Sequence, residues 1–280
     1  MSRNVFDKDW VKSRNLLPTL AATMMTILRK TWAIYALFIF FLLWLVFFPF
    51  YYLAFLLFPR GWRKYIIWFS HHVYTRLFFT LTLVRIQVEG TENLDPNQTY
   101  IIVSNHLSGL DFMVNARAYP GVYKYLAKKE LVKMPLFGFI VRKLCVLVDR
   151  SSPASRLASM KFLKETLAEG YSVFLYPEGT RNRTKAPLGT FHKGAFRIAI
   201  ESQKPIAVQT ITQIRAVSGS HGFDMWPGTV KVVWSRPIET QGLTMKDVDV
   251  LISKVKEEMI GKLETGKSKI HAGKLGNQEI

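Results

Sequence analysis

Apolar positions follow one pattern up to about residue 84 and another beyond it. Residues 31–58 contain no charged side chain. That run of 28 residues exceeds the roughly 20 that a membrane-crossing helix needs. Arg29 and Lys30 flank one end, and Arg60, Arg63 and Lys64 the other, so charge asymmetry assigns no orientation. The run is too long for a cleavable signal peptide, and no small-residue cleavage site follows it. Pro49 lies inside it and is expected to kink or break a helix there. Residues 1–30 mix basic and apolar groups in the manner of an interfacial segment. Residues 66–84 are apolar-rich again but carry His71, His72 and Arg76, which are costly at a bilayer centre and tolerable near its surface. Two arrangements fit: a spanning helix followed by an interfacial one, or a helical pair dipping into one leaflet. His71 and His72 are adjacent and point different ways on a helix, so they do not read as metal ligands.

From residue 85 short apolar runs alternate with amphipathic stretches. Strands are expected at 85–89, 99–103, 123–127, 144–148, 172–176, 205–212 and 229–234. Helices are expected at 111–118, 154–169, 193–202 and 245–263, with a short one after Gly138. The helix at 154–169 carries its apolar face on Leu157, Met160, Leu163 and Leu167 and is stopped by Gly170. Strands alternating with helices give an α/β class: a mixed, largely parallel sheet covered by helices, preceded by an N-terminal hydrophobic membrane-associated helical segment. The expected division is a membrane-anchoring helical region at 1–84, an α/β domain at 85–263, and a basic flexible tail at 264–280.

Composition narrows the partners. The formal net charge is +18, and 20 Phe, 11 Tyr and 7 Trp are present. A charge of this size suits nucleic acid, an anionic membrane or an anionic substrate. The aromatic residues concentrate in the apolar start instead of interleaving with basic ones in the α/β part, which argues against nucleic acid and for a phospholipid bilayer. The excess is local to the α/β part: residues 117–204 hold 17 Lys and Arg against 6 Asp and Glu. One cysteine, Cys145, excludes an internal disulfide and a cysteine-rich metal site. Gly-x-Gly-x-x-Gly, Walker A, Gly-x-Ser-x-Gly and His-Glu-x-x-His are all absent from the sequence.

Two strand ends carry chemistry. The strand at 99–103 runs into Ser104-Asn105-His106-Leu107-Ser108-Gly109-Leu110-Asp111. In a continuous helix His106 and Asp111 would point about 140° apart. They meet only if the chain bends, which Ser108 and Gly109 permit. Such a pair makes a general base: the carboxylate holds one ring nitrogen protonated and leaves the other free. Spacing alone also fits a helix cap without chemistry. The second strand end, after 172–176, is Pro177-Glu178-Gly179-Thr180-Arg181. Gly179 allows a tight turn, and Arg181 offers a fork of donors matched to phosphate. Lys193 adds positive charge further on, and Arg150 is a cation at a third strand end.

Asn105-His106-x4-Asp111 followed 72 residues later by Glu178-Gly179-Thr180-Arg181 resembles the glycerolipid acyltransferase family, and within it the 1-acylglycerol-3-phosphate branch. Pro135, Gly138, Asp149 and Arg150 fit the block that lies between, and Lys204-Pro205-Ile206-Ala207-Val208 fits a fourth only loosely. The resemblance covers roughly residues 85–240. It implies transfer of a fatty acyl group from acyl-CoA or acyl-ACP (acyl carrier protein) to the hydroxyl of a lysophospholipid acceptor, with no bound cofactor or metal. His106 would be the base and Asp111 its orienting partner. Glu178, Gly179, Thr180 and Arg181 would form the acceptor and headgroup site, Arg150 would hold phosphate, and Lys193 would add a phosphate or carrier contact. The branch often has tryptophan before the aspartate. Leu110 stands there here, so another lyso-lipid or glycerol 3-phosphate remains open as acceptor. A non-catalytic lipid-binding scaffold is the alternative of another class. Acyl thioesters are cytoplasmic, so the implied place is an inner or cytoplasmic membrane with the site facing the cytoplasm.

Overall fold

The most continuous apolar runs become the strands buried on both faces. The computed structural model describes the backbone of residues 4–58, 60–133, 137–148, 153–219 and 224–275, and the side chains of 20–58, 61–127, 130–133, 138–139, 141–147, 159–219 and 224–266. Seven strands form one sheet: β1 (Val84–Glu89), β2 (Ile101–Ser104), β3 (Tyr123–Lys128), β4 (Cys145–Val148), β5 (Ser172–Leu175), β6 (Ile206–Thr212) and β7 (Gly228–Trp234). Their spatial order is β1-β7-β6-β2-β5-β3-β4. Only β6 and β7 pair antiparallel; every other pair is parallel. The central strand β2 pairs Ile101 with Val173 of β5 on one side and with Ile206 of β6 on the other. Both its faces are covered, so it reads as a run of apolar residues without alternation.

Helices α6 (Pro153–Ala168), α7 (Gly194–Ser202) and α9 (Val248–Leu275) cover one face of the sheet. There Leu163, Phe196, Val255 and Met259 pack on Ile101 and Val103. On the other face lie α3 (Thr75–Leu81) and α4 (Asp111–Ala118), where Phe78, Met113 and Val114 meet Ile211 and Val230. The short helices α5 (Phe137–Leu144) and α8 (Ile214–Val217) complete the domain. α8 carries too few residues for a helical period to show in the sequence.

The first helix, α1 (Asn4–Leu57), is continuous over 54 residues and passes through Pro49. Of the expected kink or break, the break does not occur. Pro49 is exposed on the outer face, while Phe47 and Tyr51 beside it point inward, with Phe47 against Phe69 and Tyr74. Packing on both sides of the proline holds the helical course that the missing N–H weakens. The inner stripe of α1 is Ala33, Ala36, Ile39, Leu43, Tyr51 and Phe55, all buried at helical spacing. Its outer stripe, including Ile34, Phe38, Phe41, Leu45 and Phe50, is exposed. Residues 20–57 are long and apolar enough to cross a membrane by length and composition. Behind α1, α2 (Arg63–Phe69) continues through a π-helical turn (Ser70–Tyr74) into α3. His71 in that turn is buried against the ring of Tyr123. At the other end of the chain, α9 continues to Leu275, past residue 264 where the sequence suggested a flexible tail.

Candidate functional site

β2 and β5 are parallel neighbours, so their C-terminal ends lie side by side. This topology brings together two motifs 72 residues apart. Ligand sites in such sheets gather at these ends.

The loop after β2 is fixed from its first residue. The buried Asn105 side chain accepts from the Ile211 N–H at 2.8 Å and donates to the Ile211 carbonyl at 2.9 Å. It stands in for a strand residue against β6. The chain then bends at Ser108, whose carbonyl accepts from the Asp111 N–H. Asp111 is fully buried. Its Oδ2 accepts from His106 Nδ1 at 2.7 Å, from the Leu107 N–H at 2.6 Å and from the Ser108 N–H at 2.9 Å. The carboxylate therefore shapes the loop and holds the histidine with one atom. Bonding at Nδ1 assigns the proton there and leaves Nε2 as an acceptor. The imidazole keeps 21% of its side-chain surface exposed while its partner keeps none. The bend that the sequence required at Ser108 and Gly109 is present, and the pair forms.

The second loop braces the first. Glu178, expected at the acceptor, has both oxygens engaged by backbone: Oε1 accepts from the His106 N–H at 2.8 Å, and Oε2 from the Gly189 N–H at 2.7 Å. Burial raises its pKa above the ordinary carboxylate value, and the two N–H bonds oppose that rise. Asn182 N–H donates to the His106 carbonyl at 2.7 Å. Both backbone groups of His106 are thus held by residues of the Glu178–Asn182 loop. Gly179 has φ +70°, and a Cβ there would lie 3.0 Å from the His192 ring, so the turn requires glycine. Thr180 and Arg181 are exposed. Arg181 lies beside the histidine loop, its Nη1 3.5 Å from where a Cβ on Gly109 would be. No described carboxylate forms an ion pair with it.

One expectation is placed elsewhere and another is not described. Lys193 stands at the start of α7 and pairs with Asp249 at 2.7 Å, both side chains more than half exposed. It is a surface ion pair and does not join the site. Arg150 lies outside the described residues, as do Pro135 and Asp149 of the same block.

The sequence reading missed Tyr176. Its ring stacks on the His106 imidazole with centroids 3.9 Å apart and planes 14° apart. Asn115 Nδ2 donates to its hydroxyl at 2.6 Å. Burial raises the phenol well above its usual pKa, so it stays neutral. The motif hinted at it only through an aromatic residue at the strand end. The pairing of Ser108 with Ser218 was also missed; their hydroxyls bond at 2.9 Å and tie the histidine loop to the segment after α8.

A cavity of about 230 Å³ opens beside this loop. Ala33, Ala36 and Phe40 of α1 and Met113 of α4 give it an apolar wall, Gly109 and Leu110 of the histidine loop line it, and Arg181, Ser218 and Asp224 are its polar side chains. Arg29 of α1 secures that wall, with Nε 3.1 Å from Asp224 Oδ2 and Nη1 donating to the Ala216 carbonyl. The site thus joins a base whose Nε2 is an acceptor, a guanidinium that no described carboxylate pairs, and an apolar surface. Among the described residues, no group of three His, Cys, Asp or Glu side chains gathers as a metal site.

The family model described as Acyltransferase matches residues 85–212. The chain is similar to the 1-acyl-sn-glycerol-3-phosphate acyltransferase alpha of Homo sapiens, 30% identical over 179 residues that make up 63% of each protein. It is 31% identical over 190 residues to the chloroplastic 1-acyl-sn-glycerol-3-phosphate acyltransferase LPAT1 of Arabidopsis thaliana, over 65% of this chain and 51% of that one. With an uncharacterized acyltransferase of Schizosaccharomyces pombe it shares 32% identity over 193 residues, 66% of this chain and 68% of that one. The chain spans less than two thirds of the human and plant relatives. Its fold is similar to the crystal structure of the 1-acyl-sn-glycerophosphate (LPA) acyltransferase PlsC from Thermotoga maritima. The TM-score is 0.70 at 21% identity, over 85% of this chain and 98% of that one.

Proposed function

Since the chain belongs to the acyltransferase family, we propose that it transfers a fatty acyl group from a thioester to the sn-2 hydroxyl of 1-acyl-sn-glycerol 3-phosphate, giving phosphatidic acid. The observation that carries this reading is the bond from His106 Nδ1 to the buried Asp111, beside a cavity that ends at Arg181. The names of the human and plant relatives support the choice of acceptor.

In this mechanism His106 Nε2 takes the proton of the acceptor hydroxyl as its oxygen attacks the thioester carbonyl carbon. The imidazolium forms with Asp111 already bonded to its other nitrogen and Tyr176 against its face, so the new charge meets an anion and a π-surface. Collapse of the tetrahedral intermediate breaks the C–S bond. The departing thiolate takes the proton from His106, which regenerates the base and releases the free thiol and the ester. The acceptor oxygen is the nucleophile, so no acyl-enzyme forms. Arg181 pairs the acceptor phosphate, and the wall from α1 and α4 covers its chain. Glu178 holds the backbone of the base and does not touch the acceptor. Coenzyme A or acyl carrier protein brings the acyl group.

The same reading places the protein on a membrane, with its site toward the cytoplasm where acyl thioesters are made. The inner stripe of α1 packs on the domain from Ala33 to Phe55, about 33 Å at helical rise. That length matches the ~30 Å hydrocarbon core. A perpendicular α1 would carry the packed domain into the bilayer, so we read α1 as lying along one leaflet with Phe38, Phe41, Leu45 and Phe50 in the lipid.

The test uses the full chain in nanodiscs with palmitoyl-CoA and lysophosphatidate. Wild type is expected to form phosphatidic acid, and His106→Ala to lose about 10³-fold or more in kcat while still binding lipid vesicles. Near-normal turnover by that variant would exclude the histidine as base. A large kcat/KM preference for another lyso-lipid or for glycerol 3-phosphate would move the acceptor.

A further inference from the structure

Two cavities of about 230 Å³ flank the histidine loop, and their walls differ. Gly109 and Leu110 line the one described above, together with α1; Leu107 lines the other. The second lies at the C-terminal end of β6, between α8, the segment 185–187 and Leu263 and Gly266 of α9. No described residue of α1 lines it. Its apolar wall is Leu107, Ile211, Ile214 and Leu263, and its charged groups are Lys185 and Arg215. The first cavity has Asp224, already paired with Arg29, in its lining beside Arg181, whereas the described lining of the second contains no carboxylate. Arg215 is fixed in place by Nη2 donating to the carbonyls of Asn182 and Thr184, at 3.2 and 3.0 Å, and neutral acceptors leave its charge uncompensated. Lys185 is exposed and forms no ion pair with a described carboxylate.

A transfer from a thioester to a lipid has substrates of opposite solubility. The lipid acceptor suits the cavity walled by the helix with the exposed apolar stripe. The donor arrives on a water-soluble carrier bearing phosphate, and the second cavity is away from that helix, cationic, and one residue from the base. We propose that this cavity takes the phosphopantetheine arm of the acyl donor, with Lys185 and Arg215 pairing its phosphate and Leu107, Ile211, Ile214 and Leu263 covering the apolar part of the arm. The inference rests on the acyl-transfer reading given above. The histidine loop then forms a partition between the two substrates, and the thioester carbonyl meets the acceptor hydroxyl at its crest. The shared chemistry is that of coenzyme A and acyl carrier protein, whose arms are the same.

Lys185→Glu tests it, with Lys246→Glu as a control for net charge; Lys246 is exposed at the opposite end of α9, about 27 Å away by helix rise. Three donors are compared: palmitoyl-CoA, palmitoyl acyl carrier protein, and palmitoyl-N-acetylcysteamine, a thioester without phosphate. Lys185→Glu is expected to raise KM at least tenfold for a phosphate-bearing donor, to leave KM for lysophosphatidate unchanged, and to leave the phosphate-free donor unaffected. Lys246→Glu is expected to match wild type. The donor that shows the larger wild-type kcat/KM identifies the carrier. Equal loss with the phosphate-free donor, or no change with any donor, overturns the assignment. Should wild type transfer nothing from any donor, the acyl-transfer reading fails by itself. Equilibrium binding of free coenzyme A and of the acyl carrier protein bearing its arm then decides the cavity separately. Binding weakened tenfold by Lys185→Glu keeps it as the carrier site; absence of binding to both removes it.

Discussion

The two loops that meet at the sheet end are built on opposite plans. In the loop from Asn105 to Asp111, the side chains of Asn105, Ser108 and Asp111 are all fully buried and bonded to backbone, with Ser108 bonded to Ser218 as well. In the loop from Glu178 to Asn182, the two ends are buried and bonded, but Gly179, Thr180 and Arg181 between them are exposed. The first plan fixes an imidazole in one orientation, as proton transfer requires. The second fixes only the ends of a cationic tip, which leaves a guanidinium free to meet a charged group arriving from outside. Orientation is stored in one loop and charge is offered by the other. The contrast shows why a carboxylate in a substrate-like motif can serve the scaffold: Glu178 belongs to the fixed part of its loop and Arg181 to the open part.

Altering each part should separate the two plans. Asp111→Asn keeps the shape but turns an acceptor of three bonds into a group that also donates. Turnover should fall by about 10² to 10⁴ with little change in KM, measured as initial rates on nanodiscs. A loss confined to KM would assign Asp111 to binding. Arg181→Ala should act the other way, raising KM for lysophosphatidate by about 10- to 100-fold, the range of a charge-assisted bond. An unchanged acceptor KM would remove Arg181 from the phosphate. Glu178→Gln spares one N–H acceptor and loses the other; kcat should drop about tenfold, with acceptor KM within a factor of two. If acceptor KM rises instead, the glutamate does reach the acceptor.

The smallest effect tests the scaffold beneath the first loop. Burial, aided by the neighbouring His72, lowers the pKa of His71 to about 3 from 6.5. The unfolded chain then binds more protons than the folded one between those values, so stability falls as pH drops below about 6.5. The slope cannot exceed about 1.4 kcal/mol per pH unit from this group. The thermal midpoint of wild type in detergent should fall relative to that of His71→Phe as pH drops from 7 to 5. Parallel curves would show that His71 contributes no such slope.

Much of this architecture was legible because the strands are short apolar runs ending in turn residues, and all seven appear where those runs lie. The His106–Asp111 pair was legible through Ser108 and Gly109, which allow the bend that a five-residue spacing needs. The bonds of Glu178 were not, since its partners are backbone N–H groups and leave no residue-type signature. Tyr176 stacks across two loops whose adjacency follows from β2 pairing with β5, a fact of topology. Lys193 is taken up by Asp249, 56 residues away, and no local pattern announces that pair. Pro49 was read by its local cost, which the inward packing of Phe47 and Tyr51 overrides.

In the proposed function, the exposed stripe of α1 also sets the dimensionality of the search for substrate. With the exposed Phe38, Phe41, Leu45 and Phe50 in one leaflet, as proposed, the protein and its lipid acceptor would diffuse in a plane, and encounters would depend on the mole fraction of acceptor in that plane. Diluting the bulk solution at constant vesicle composition leaves that quantity unchanged, whereas adding inert phospholipid lowers it. The stripe thus converts a concentration in solution into a density on a surface, and membrane area becomes a determinant of rate.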